Sequence, residues 1–127
     1  MAEVVVDASA LVDLLLGNDV GLTVRERLSG RALQAPAHVD SEVLSALGRM
    51  NRAGAVEDDA VEEMLAWLAV APIRRQQLAG LLRGAWSRRH NLRLADALYV
   101  ELAAQSALPL VTTDRRLRGL PAVEVVA

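Results

Sequence analysis

The chain has no lysine and no cysteine, and only three aromatic residues, Trp67, Trp86 and Tyr99. Without lysine there is no P-loop lysine, no Schiff-base amine and no lysine partner for a receiver-type phosphoaspartate. Without cysteine there are no disulfides, no thiolate metal site and no thiol nucleophile. Three scattered aromatics are too few for a platform on which bases stack. His38 and His90 form neither an HxxxH nor an HExxH pattern, so histidine-based zinc chemistry is not indicated. No run approaches the roughly 18 apolar residues of a membrane span. No basic region precedes the first apolar run, so the start does not read as a signal peptide, and a cytoplasmic protein is expected.

What remains is 127 residues, 53% of them hydrophobic, enough for one domain spanning 1–127. That apolar fraction is high for a small domain, and some of it is expected to serve a homodimer contact. All 14 basic residues are arginine, and the net charge of −2 hides an asymmetry. Residues 1–63 carry twelve acids and five arginines, a net −7, whereas 64–127 carry four acids and nine arginines, a net +5. No acid stands between Glu63 and Asp96, while Arg74, Arg75, Arg83, Arg88, Arg89 and Arg93 do. Such a segment suits a phosphate backbone, an acidic partner, or simply a solvated helix face.

Apolar periodicity predicts alternating strands and helices. Strands are expected near 3–6, 32–35, 70–74, 109–112 and 123–126. Helices are expected near 9–16, 21–29, 38–53, 57–68, 75–90 and 93–106, with a helical turn at 115–118. In the helix at 38–53, Val39, Val43, Leu47 and Met50 share a face; in that at 93–106, Ala95, Leu98 and Leu102 point inward. Five short strands interleaved with helices imply an α/β fold, a central parallel sheet covered on both faces.

Two carboxylates stand where apolar strands end: Val4-Val5-Val6-Asp7 and Leu110-Val111-Thr112-Thr113-Asp114. Ligands of open parallel sheets bind at the carboxyl ends of the strands. Either aspartate also suits a helix N-cap; if Ser9 caps the first helix, Asp7 is free to face a crevice. Glu42 lies in an amphipathic helix, with His38, Ala46 and Arg49 at helical spacing, and His38 is expected to pair with it on the surface. Asp96 is embedded in Leu94-Ala95-Asp96-Ala97-Leu98-Tyr99-Val100, so it either begins a helix or faces something cationic. Four acids from distant segments suggest a hard divalent cation.

The four segments, in order and spacing, resemble the PIN-domain ribonucleases. Asp7-Ala8-Ser9-Ala10-Leu11 after a valine strand is similar to that family's first motif, and Pro36 with Glu42-Val43-Leu44 to its second. Leu94 to Tyr99 resembles the third and Leu110 to Asp114 the fourth. The length is that of the VapC toxins of bacterial toxin–antitoxin pairs. The resemblance covers essentially the whole chain and implies a three-layer α/β/α domain with a Mg2+ site, Mn2+ being an alternative. It implies hydrolysis of RNA phosphodiester bonds and inhibition by a cognate antitoxin. Asp7 and Asp96 would be the principal metal ligands, supported by Glu42 and Asp114, with Ser9, Ser45 and Thr112 orienting them. Ser45 departs from the asparagine that many relatives carry there. Arg115 and Arg116, with Arg88 and Arg89, are candidates for RNA phosphates. Two rivals stand beside this reading. One is a catalytically silent PIN-fold module that binds RNA or protein. The other is a phosphotransfer domain with Asp7 as nucleophile, disfavoured because Ser9 stands where the haloacid-dehalogenase pattern needs a second acid.

Overall fold

Three consecutive valines, Val4 to Val6, are almost wholly excluded from solvent, which marks their strand as one covered on both faces. Burial of each contributes about 2 kcal/mol relative to exposure. In the computed structural model, which describes residues 2–127, this strand, β1 (Glu3–Val6), lies at the centre of a five-stranded sheet. The others are β2 (Ala32–Pro36), β3 (Ile73–Gln76), β4 (Leu110–Thr112) and β5 (Val123–Val125). All pairings are parallel, in the order β3-β2-β1-β4-β5. The helices are α1 (Ala8–Leu16), α2 (Asp19–Leu28), α3 (Val39–Arg52), α4 (Asp58–Val70), α5 (Leu82–Ser87) and α6 (Leu94–Ser106). They flank the sheet in the α/β/α arrangement the sequence implied.

The strand order places a topological switch point between β1 and β4. The chain adds β2 and β3 on one side of β1, then returns to add β4 and β5 on the other. Val5 pairs with Leu110 and Val6 with Val111, so Asp7 and the Thr112–Asp114 segment leave the sheet side by side. Connections diverge there and open a crevice at the carboxyl ends of the strands.

Helix α1 starts one residue after β1 and stops at Gly17, whose φ of 67° lets its N–H bond back to the Asp13 and Leu14 carbonyls. Gly21 brings α2 close against that turn, because a Cβ there would run into the Asp13 carbonyl group. In α3, Val39, Val43 and Leu47 are buried as the periodicity predicts. In α6, Leu102 is buried but Ala95 and Leu98 only partly so; Ala97, Tyr99, Val100 and Ala103 fill the core instead.

The stretch from 70 to 90 differs most from expectation. Helix α4 continues through Val70, and the strand is displaced to Ile73-Arg74-Arg75-Gln76. It is an edge strand, so only Ile73 need be apolar, and Arg75 turns aside to bond Asp40 and the carbonyls of Leu68, Ala71 and Ile73. The single helix expected at 75–90 is therefore a strand end, a short 3-10 turn at Ala79–Leu81 and the six-residue α5. Among the described residues no helix is long and apolar enough to cross a membrane.

Candidate active site

Asp7 directly follows β1, and its carboxylate both caps α1 and faces the crevice. Its Oδ1 accepts from the Ala10 N–H at 3.0 Å and from the Ser9 hydroxyl at 2.8 Å, while Oδ2 accepts from Thr112. Asp7 itself, rather than Ser9, is thus the cap, and capping does not take it out of the crevice. Oδ1 thus has both lone pairs engaged, whereas Oδ2, with a single donor, keeps one for another partner. Asp7 is only 4% exposed and touches no arginine among the described residues. Burial therefore pushes its pKa up to about 6, against the lowering effect of the three hydrogen bonds, and the charge of Asp114 adds to the rise. A carboxylate held ionised at neutral pH in such a place gains most from a cation.

The other three acids reach the same crevice from different elements. Asp7, Glu42, Asp96 and Asp114 all line one cleft of about 300 Å³. Glu42, from the first turn of α3, accepts the Tyr99 hydroxyl at 2.6 Å. Tyr99 is buried in α6, and burial together with the charge of Glu42 holds its phenol protonated far above the usual range. It is therefore a permanent donor that fixes one oxygen of Glu42. His38 pairs with Glu42 as expected, but mostly out of solvent rather than on the surface. It is largely buried, 3.4 Å from Glu42, with Nε2 3.0 Å from the Ala95 carbonyl and its ring tilted against Tyr99.

Asp96 lies in the first turn of α6, so both expected readings hold together: it stands at a helix start and faces cations, with Arg93 at 3.3 Å and Arg116 at 3.9 Å. Asp114 caps the short 3-10 turn Arg115–Leu117 and binds the Arg116 guanidinium at 2.6 Å. That hydrogen bond, more than any other influence, holds its carboxyl below the ordinary range.

Ser9 and Thr112 sit where supporting residues are expected. Thr112 is fully buried and links Asp7 to the backbone N–H of Asp114 at 2.9 Å; Ser9 bonds Asp7 and accepts from the Thr113 N–H at 3.2 Å. Ser45 does not reach the site. It is exposed on α3, and Ala46 and Arg49 present themselves to the cleft instead. Of the candidate phosphate-binding arginines only Arg116 lines the cleft. Arg88 is tied to Glu101 at 3.1 Å, Arg89 lies over the Trp86 ring, and Arg115 is exposed outside the lining.

Seven lining residues were not singled out as site residues from the sequence alone: Ala8, Val12, Asp13, Ala46, Arg49, Arg93 and Tyr99. Asp13 is a fifth acid, one helical turn beyond Ser9 on the same face of α1, and it accepts from Thr113 Oγ1 at 2.7 Å. Tyr99 and Arg93 are each three residues from Asp96, and Arg49 is seven from Glu42. Helical spacing from a chosen acid was the available signal in each case.

Among the described residues no three acids or histidines converge into a ready-made metal cage. The donor set still fits magnesium, which binds one or two carboxylates directly and keeps several waters that span to the others. A guanidinium already occupies the side of the cleft between Asp96 and Asp114, and Asp7 is a buried acid without a counter-charge.

Known proteins resemble this chain in sequence and in fold. The family model for the PIN domain matches residues 4–123. Ribonuclease VapC3 of Mycobacterium tuberculosis is 55% identical over 126 residues, which cover 98% of this chain and 92% of that protein. Among solved structures, Mycobacterium tuberculosis VapC20, described as a sarcin-ricin loop cleaving toxin, has a TM-score of 0.74 at 18% identity, covering 98% of this chain and 99% of its own. A chain of a toxin–antitoxin complex from Klebsiella pneumoniae has a TM-score of 0.63 at 18% identity, with 96% of each chain covered. These two structural likenesses concern the fold.

Proposed function

This chain belongs to the PIN-domain family, and from that premise we propose that it is a divalent-metal-dependent endoribonuclease, the toxin of a toxin–antitoxin pair. The observation that carries the proposal is the convergence of Asp7, Glu42, Asp96 and Asp114 on one cleft at the switch point between β1 and β4. Its high identity to a protein named as a ribonuclease supports the same chemistry here.

In this reading Asp7 and Asp96 are the principal ligands of Mg2+ or Mn2+, and Glu42 and Asp114 complete the set. When bound, the ion supplies Lewis acidity toward the scissile phosphate and lowers the pKa of an attacking water. The chain's own contribution is positioning and charge. Asp7 is fixed by Ser9, Thr112 and the Ala10 N–H, which leaves one lone pair of Oδ2 for the ion in the cleft that the residue lines. Tyr99 holds one oxygen of Glu42 and leaves the other to orient water. Arg49, Arg93 and Arg116 on the cleft wall supply positive charge for the RNA backbone. The protein partner is a cognate antitoxin, and two copies of the chain form a homodimer.

The direct test is purified protein with structured RNA, with and without Mg2+ or Mn2+, beside Asp7→Asn. Cleavage is expected only with the divalent ion and is expected to fall at least 100-fold in the variant, the scale of losing a principal electrostatic group. Equal cleavage by both proteins, or cleavage that survives a chelator, would overturn the reading. The rival silent module predicts RNA binding without turnover.

A further inference from the structure

Arg116 makes contacts of the kind a bound cation would make. The 3-10 turn capped by Asp114 folds its guanidinium back over that carboxylate, with Nε 3.0 and 3.2 Å from the two oxygens and Nη2 2.6 Å from Oδ2. The same Nη2 lies 3.9 Å from Oδ2 of Asp96, which belongs to α6. One side chain therefore neutralises two of the four acids, and both oxygens of Asp114 are engaged. Arg93 Nε also donates to Oδ2 of Asp96, at 3.3 Å.

We propose that Arg116 is a displaceable countercation: it holds Asp114 and Asp96 in the metal-free protein and competes with the divalent ion for them. The inference rests on the metal-dependent reading above and adds regulation to it. A divalent ion and a guanidinium repel each other and need the same carboxylate lone pairs, so one occupant excludes the other. Displacement is easy because the Arg116 side chain is 60% exposed and recovers its hydration on leaving. Exposed ion pairs as a rule contribute little net stability, and although the bidentate fork makes this one stronger than most, its partner stays within reach of solvent. Its effect is to reduce repulsion among the acids while no metal is present and to weaken metal affinity by a modest, adjustable factor.

The test is calorimetric titration of chelator-treated protein with Mn2+, which reads metal affinity without RNA or turnover. Arg116→Gln is expected to bind Mn2+ roughly three- to tenfold tighter than wild type. Arg116→Lys, which keeps the charge but loses the fork, should fall between them. Arg118→Gln removes the same charge from an exposed neighbour outside the cleft and should stay within about twofold of wild type. Unchanged or weaker binding by Arg116→Gln overturns the proposal, and so does equal tightening by Arg118→Gln. In either case Mn2+ binding by wild type leaves the metal-dependent reading standing. Failure of wild type and both Arg116 variants to bind millimolar Mn2+ overturns both readings.

Discussion

Asp7 is the residue at which folding and function meet. Its carboxylate caps α1 and so helps the helix to form, yet burial without a counter-cation raises its pKa to about 6. The folded chain thus holds the Asp7 proton more tightly than the unfolded chain, where the ordinary value of 3.8 applies. With the folded value raised, the associated stability is fully present below the ordinary carboxylate pKa and is lost as pH rises through about 6. A rise of this size corresponds to at most about 3 kcal/mol. Urea unfolding in chelator should show Asp7→Asn gaining about 1–2 kcal/mol on wild type between about pH 5 and about pH 7.5. Added Mn2+ at the higher pH should recover wild type and not the variant. A gap between the two proteins that stays flat with pH would refute this account of Asp7.

At the level of elements, most of the alternation was legible because burial on both faces requires unbroken apolar runs, as in Val4 to Val6, and helices need spaced ones, as in Val39, Val43 and Leu47. The stretch from 70 to 90 was not legible because its strand is at the sheet edge and polar, and local composition does not report edge position. The four acids could be chosen from sequence, but the helix face of Glu42 and the partner Tyr99 depend on how α3 meets α6. The short helix α5 also carries a consequence. Leu82 and Trp86 are four residues apart on one face and 55% and 57% exposed, more than a lone domain requires. In the proposed homodimer they would be the anchors. Light scattering should give twice the chain mass for wild type, and Trp86→Ala should weaken the dimer by about 30-fold or more, the cost of losing an aromatic anchor. A wild-type monomer at high concentration would remove the dimer from the reading.

Across the whole molecule, α1 separates two unlike surfaces. Its first turns, with Asp7, Ser9 and Asp13, line the acidic cleft, and its last turn, with Leu14 and Leu15, lines a groove of about 1010 Å³ that also involves Leu28, Met64 and Ile73. Trp67 belongs to this groove rather than to the core; it is 42% exposed on the wall that α4 supplies. A groove this apolar is costly to leave in water, and an amphipathic segment of the proposed antitoxin would cover it. Because the groove and the cleft share no lining residue, the two activities should separate on substitution. Trp67→Ala is expected to weaken the cognate antitoxin about 30-fold or more, the loss typical of an aromatic hot spot, while RNA cleavage by the free protein stays at the wild-type rate. Binding measured with immobilised antitoxin and cleavage measured without it would read the two effects independently. Undiminished antitoxin binding by Trp67→Ala would assign the groove to another occupant, and a matching loss of cleavage would mean that the groove and cleft are coupled through α1.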